Sequence, residues 1–256
     1  MTGISRRVQL ILFVVLLSLI LLAGVAVAVQ TRMRISRSAF TFADVETMKV
    51  NVRWDASEYD AAYDPSEPAY TAAGNFSVAK GGITMSDVYE RADLIVKVKA
   101  TDDRSFAYQS ILTKVGIIEV YKGSPDRSEI YIYECAWVDL TGILTPNYGY
   151  YHIMRTGGEY YLFLNRRSMP DGYVYAEKDL ASYLLTNVHL GKYNVTVSKN
   201  MRLLEEPAGD AVDYTAALPV YQQVADWDIL PAAYEQIDFY TRNRKEALRL
   251  LNISGE

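Results

Sequence analysis

The sequence predicts a mainly β fold with flanking helices, entered through one N-terminal transmembrane helix. Three observations predict it. Residues 10–29 carry no charge. Residues 92–198 hold several short runs rich in branched and aromatic side chains, separated by Gly, Pro, Asn and Ser. Beyond Pro231 the apolar positions change to helical spacing.

The uncharged run comes first in the chain. Twenty residues of helix rise about 30 Å, the thickness of a hydrocarbon layer, and a helix satisfies its own backbone hydrogen bonds there. Arg6 and Arg7 precede the run and Arg32, Arg34 and Arg37 follow it, so flanking charge alone leaves orientation close to a tie. The resemblance of the segment to a signal peptide, and the β-rich chain that follows, place the N-terminus inside and the remainder outside. Ala26, Val27 and Ala28 form a small-x-small pattern at which a peptidase would release a secreted chain after Ala28. The expected organisation is therefore a cytoplasmic tip and anchor (or signal peptide) at 1–30 and a stalk and irregular loop region at 31–83. A β-barrel at 84–200 follows, then a C-terminal extension at 201–256 with a helix at 231–252.

Residues 48–54 alternate well enough for a strand. Residues 55–74 show no sustained period and read as a loop. Its acids, Asp55, Glu58, Asp60, Asp64 and Glu67, lack the ligand spacing and central glycine of a helix-loop-helix calcium site. Thr84 and Asp87 are spaced as a capping box, and Met85, Val88, Tyr89 and Ala92 lie at helical spacing behind it. In residues 92–100, Leu94, Val96 and Val98 alternate with Lys97 and Lys99, the period of a half-buried strand. Residues 111–121 and 129–135 repeat that type of pattern around a turn at 122–126. Residues 137–156 form a long excursion. Residues 159–164 are apolar on both faces, as a central strand requires. Residues 173–175 and 193–198 read as further strands. Five or six short antiparallel strands of this kind suggest a small closed or partly open barrel, which leaves few sheet edges exposed. In the tail, Pro231 suits a helix start, and Tyr234, Ile237, Thr241, Arg244, Leu248 and Leu251 trace a stripe.

The strand sequence resembles a recurrent pattern in exported, membrane-anchored Gram-positive bacterial proteins. The residues that carry it are Ala92 to Val96, Val115 to Gly123 (Val-x-Ile-Ile-Glu-Val-Tyr-Lys-Gly), Ile130 with Ile132, and Gly158 to Leu164. The resemblance implies a barrel of the oligonucleotide/oligosaccharide-binding type, distantly similar to the netrin and metalloproteinase-inhibitor module. These are core and turn residues, so it implies a fold and no activity. The inhibitory N-terminal cysteine and the disulfides of the animal module have no counterpart here.

Composition excludes some chemistry. All 31 acidic residues follow residue 29, against 24 of the 26 Lys and Arg, so the part beyond the run is net acidic and a poor partner for nucleic acid. Cys135 is the only cysteine; it excludes an internal disulfide, and at a strand end it reads as a small hydrophobe rather than a nucleophile. Ser77 and Lys80 match Ser-x-x-Lys without its companion motifs. His152 and His189 are the only histidines, too few for a histidine-rich metal site, and no phosphate loop follows a strand. No catalytic, cofactor or metal residues are assigned. With 21 tyrosines, aromatic rings with a polar edge suit a wet interface, and the densest group is Tyr148, Tyr150, Tyr151 and His152. The expected function is that of a single-pass, extracytoplasmic, non-enzymatic domain, in contact with lipid through residues 10–29 and with a protein or envelope polymer through that tyrosine group. The alternatives are an envelope hydrolase using His152 with a carboxylate, and a structural subunit of a membrane complex.

Overall fold

A computed structural model of the chain describes residues 13, 15–18, 20–21, 24–25, 42–52, 83–107, 110–139, 142–146, 150–167, 172, 174–204 and 215–253. The acidic loop residues Asp55, Glu58, Asp60, Asp64 and Glu67, the Ser77–Lys80 pair, Tyr148, Tyr173 and most of residues 10–29 lie outside the described residues. The chain divides into two compact units, Met1–Thr41 and Phe42–Glu256. In the first, the described residues of the apolar run are helical, and Phe13, Val15, Leu16, Leu17, Ile20, Leu21 and Val25 are each 48–63% exposed. Among the described residues no helix is long and apolar enough to cross a membrane.

The second unit is mainly β. A short 3-10 helix (Phe42–Thr47) opens it, and helix α1 (Met85–Arg91) carries its predicted capping box: the Thr84 hydroxyl accepts from the Asp87 N–H, and the Asp87 carboxylate accepts from the Thr84 N–H at 2.8 Å. Strands β1 (Leu94–Ala107), β2 (Ser110–Lys122) and β3 (Glu129–Glu134) follow as an antiparallel meander. Gly123 ends β2 with φ +85°, and a Cβ there would lie 2.3 Å from the Asp93 carbonyl oxygen, so only glycine fits this turn. Strands β4 (Ala136–Val138) and β5 (Leu144–Pro146) form a separate two-stranded ribbon. Val50 bridges to Leu144 and Lys49 to Val220, where a strand at 48–54 was expected; residues 53 and 54 lie outside the described residues.

Strand β6 (Glu159–Arg166) is the centre of the sheet. One edge pairs with β1 from Glu159 to Leu164; the other pairs first with β8 (Lys192–Asn194) and then with β7 (Ser182–Leu185). The sheet order is β1-β2-β3-β7-β6-β8 with a further β1–β6 pairing, so the pairings of β1, β2, β3, β7 and β6 return to their start. The β3–β7 pair is parallel, which corrects the expected all-antiparallel arrangement. Strands β1 and β2 are also longer than expected, at 14 and 13 residues. Residues 174–175 are not a strand, and helix α2 (Glu177–Leu180) lies just beyond them. The apolar run of β7 carries no alternation, which hid it.

Register explains why β6 is apolar on both faces. Residues directly opposite share a face: Val96 with Leu162 and Leu94 with Leu164 lie on one side, Ile95 with Phe163 and Tyr161 with Tyr193 on the other. The second face packs with Met85 and Val88 of α1 and with Tyr240, Ala247 and Leu248 of the C-terminal helix α4 (Tyr234–Leu250). Helix α3 (Tyr221–Val224) precedes it. The buried stripe of α4 is Tyr240, Ala247, Leu248 and, just past its end, Leu251. Of the expected stripe Leu248 and Leu251 are buried, whereas Tyr234 is 69% exposed and Thr241 is also exposed; Tyr240 turns inward instead, its hydroxyl accepting from the Asn194 N–H of β8.

Candidate functional site

A carboxylate stands at the centre of the interior polar group. Along β3, Ile130, Ile132 and Glu134 fall on one face by the two-residue period, and all three are buried. The Glu134 carboxylate accepts hydrogen bonds from the Thr113 hydroxyl of β2, from the Tyr151 hydroxyl at 3.0 Å and from the Met154 N–H at 2.6 Å. Three donors from two segments, β2 and residues 150–154, make a buried charge tolerable, since an unpaired carboxylate in an apolar interior is very costly.

Lys192 is the second buried charge. It faces Leu162 across the β6–β8 pair, and its ammonium lies 4.9 Å from the Tyr151 ring centroid and 5.3 Å from that of Tyr160. It donates a long hydrogen bond, 3.4 Å, to the Asp228 carbonyl. Burial lowers its pKa to about 8, against the opposing pull of the Glu134 and Asp228 carboxylates. Asp228 is itself buried. Neither of its carboxylate oxygens has a hydrogen-bond partner among the described residues, and burial raises its pKa. Asn194 and the Ser198 backbone temper that rise from beyond hydrogen-bond geometry.

The three described members of the predicted tyrosine group are interior residues. Their side chains go to three different places. Tyr150 packs in the core beside α1 and α4, its ring 4.8 Å from that of His189. Tyr151 reaches Glu134. His152, 1% exposed, lies with its ring 5.4 Å from that of Tyr221. These residues are drawn inside because residues 150–154 run between the sheet and the segment after α3: Tyr151 bridges to Ile229, and the Leu230 N–H donates to the Tyr150 carbonyl at 2.8 Å. A contact surface on this excursion would thus be formed by residues other than these three.

The acid-base candidates have the chemistry of a core. His152 Nε2 lies 3.0 Å from the Val224 carbonyl, so it carries the proton and donates; Nδ1 is buried with no partner among the described residues. Burial lowers its pKa to about 3, and the positive charge of Lys192 adds to the effect. Burial likewise lowers His189 to about 4. Cys135 keeps some exposure as a residue, but burial of its thiol pushes the pKa up to about 12, with the Glu134 charge acting in the same direction. A thiol so raised is a poor nucleophile at neutral pH. Among the described residues no cluster of His, Cys, Asp or Glu is placed to hold a metal ion.

Sequence reasoning singled out none of Glu134, Lys192 and Asp228. Glu134 had a readable signal, a carboxylate continuing the apolar alternation of Ile130 and Ile132. Asp228 lies between Trp227 and Ile229, and Lys192 stands beside Tyr193 and two residues from Leu190, a weaker sign of the same kind. An open groove lies between α1 and α4, lined by Ile83, Met85, Phe239, Arg242 and Arg249 among others. No protein-family model matches the chain, and no curated protein matches it.

Proposed function

We propose that this chain is a single-pass membrane protein that displays residues 42–256 outside a bacterial, Gram-positive-type membrane. There the domain acts by contact with a protein or envelope polymer rather than by catalysis. The observation that carries this reading is the uncharged run at residues 10–29, whose described apolar side chains lie exposed on a helix. Lipid is the solvent that such a helix favours. The N-terminus is assigned inside, with the anchor retained.

The closed cycle of pairings among β1, β2, β3, β7 and β6 supports reading the displayed domain as a small five-stranded barrel of the oligonucleotide/oligosaccharide-binding type. The net acidity of the displayed part favours a partner other than nucleic acid. The geometry of His152 weighs against the hydrolase alternative. Its donor nitrogen is committed to a backbone carbonyl, no carboxylate is hydrogen-bonded to it among the described residues, and it is enclosed.

Cell fractionation tests the anchor. The full-length chain is expected in the membrane pellet after an alkaline wash and in solution only after detergent. A chain lacking residues 1–41 is expected in the soluble fraction. Release of the full-length, unprocessed chain by the alkaline wash would reject the proposal.

A further inference from the structure

Helix α3 is four residues long, too short to persist without tertiary contacts. Its described anchors include the Lys49–Val220 bridge just before it and the burial of Tyr221 and Val224. The Tyr221 N–H donates to the Met48 carbonyl at 2.8 Å. The Gln223 side chain accepts from the Val220 N–H at 3.0 Å. At the other end His152 Nε2–H donates to the Val224 carbonyl, while its ring lies against Tyr221. One enclosed imidazole thus touches both ends of the helix and ties its last carbonyl to residues 150–154.

A second proton on that imidazole has nowhere favourable to go. It must enter at Nδ1, which has no acceptor among the described residues. The charges that act on the ring are Lys192 from β8 and Arg104 from β1, both positive. Tyr221 faces the ring from α3 and is neutral; burial holds its pKa up at about 12. The Glu134 carboxylate of β3, whose charge acts on Lys192, accepts from Thr113, Tyr151 and the Met154 N–H. Imidazolium would therefore add a third positive charge beside Lys192 and Arg104 and leave the Nδ1–H without an acceptor among the described residues, a cost that the Val224 carbonyl, which favours the charged ring, offsets only in part.

We infer that His152 is an acid-sensitive latch, whose protonation at Nδ1 releases α3 from residues 150–154 while the sheet stays paired. The sign follows from the lowered pKa. The folded state keeps the ring neutral down to about 3, whereas an opened segment takes the proton at the ordinary value near 6.5. The latch is at full strength above that ordinary value and weakens as pH falls through the window between the two. His189 has the same sign, but its ring lies on Tyr150, away from α3. Asp228, beyond α3, has the opposite sign: its raised pKa makes the folded state accept the proton more readily as pH falls.

Amide hydrogen exchange on the full-length protein in detergent, corrected for the intrinsic rate at each pH, reads the latch directly. Opening of residues 221–224 is expected to be about 30-fold more frequent at pH 5 than at pH 7.5, from the two pKa values, with β6 unchanged. His152→Gln, which does not titrate here, is expected to abolish the rise. Equal rises in α3 and β6, a flat response in α3, or a rise that survives in His152→Gln would each overturn the inference. If that variant does not fold, the comparison of α3 with β6 in the wild type decides alone.

Discussion

Glu134 shows how one inward side chain organises donors from separate parts of the chain. Replacing it with Ala strands the Thr113 and Tyr151 hydroxyls and the Met154 N–H in the interior. A loss of about 3–5 kcal/mol is expected in denaturant unfolding, and Glu134→Gln, which keeps an acceptor, should cost distinctly less. Lys192 gives a pH signature of definite sign. Its pKa is about 8 when folded and near 10.4 when unfolded, so the unfolded chain binds the extra proton between those values and wild-type stability rises with pH there. Lys192→Met lacks this term. Between pH 7 and 9.5 the wild type is therefore expected to gain about 2 kcal/mol relative to the variant, and parallel unfolding curves would contradict the burial of that amine. The tyrosine group illustrates what residue type alone leaves open. Tyr150, Tyr151 and His152 look like a polar-edged patch in sequence, yet their environment is set by Ile229 and Leu230, some eighty residues away.

Elements with a local cause were legible. The Thr84–Asp87 box fixes the start of α1, the alternation of Leu94, Val96 and Val98 marks β1, and the two-sided apolar run at 159–164 marks β6. Elements with a distant cause were not. Strand β7 exists because β3 and β6 each offer it an edge, and nothing in the sequence at 182–185 specifies a parallel partner. The orientation of α4 has a similar origin. Its Tyr240 hydroxyl accepts from the Asn194 N–H, and Arg244 donates to the carbonyls of Asn194 and Val195 at 3.2 and 2.8 Å. The helix thereby satisfies backbone groups along β8, an edge that would otherwise invite pairing with another chain. Arg244→Ala is expected to cost about 1–3 kcal/mol by leaving those carbonyls without their donor. It should also raise hydrogen exchange in both α4 and β8; Arg244→Lys should rescue only part of it, since an ammonium lacks the planar fork. Unchanged exchange in β8 would show that α4 does not guard that edge.

At the scale of the molecule, two units divide the labour: residues 1–41 carry the uncharged run and residues 42–256 carry the sheet. The mainly β class was legible because alternation is read locally, strand by strand. Closure of the pairing cycle is a property of the set of strands, and it rests on the β1–β6 contact between segments some sixty residues apart. Among the described residues Glu134, His152, Lys192 and Asp228 are enclosed, and the proposed function rests on where the domain is held and what it touches. Protease treatment of intact cells, followed by detection of the C-terminal unit, tests this most directly. The account predicts that added protease removes residues 42–256 while a cytoplasmic marker stays whole; complete protection of the unit until the cells are broken would contradict it.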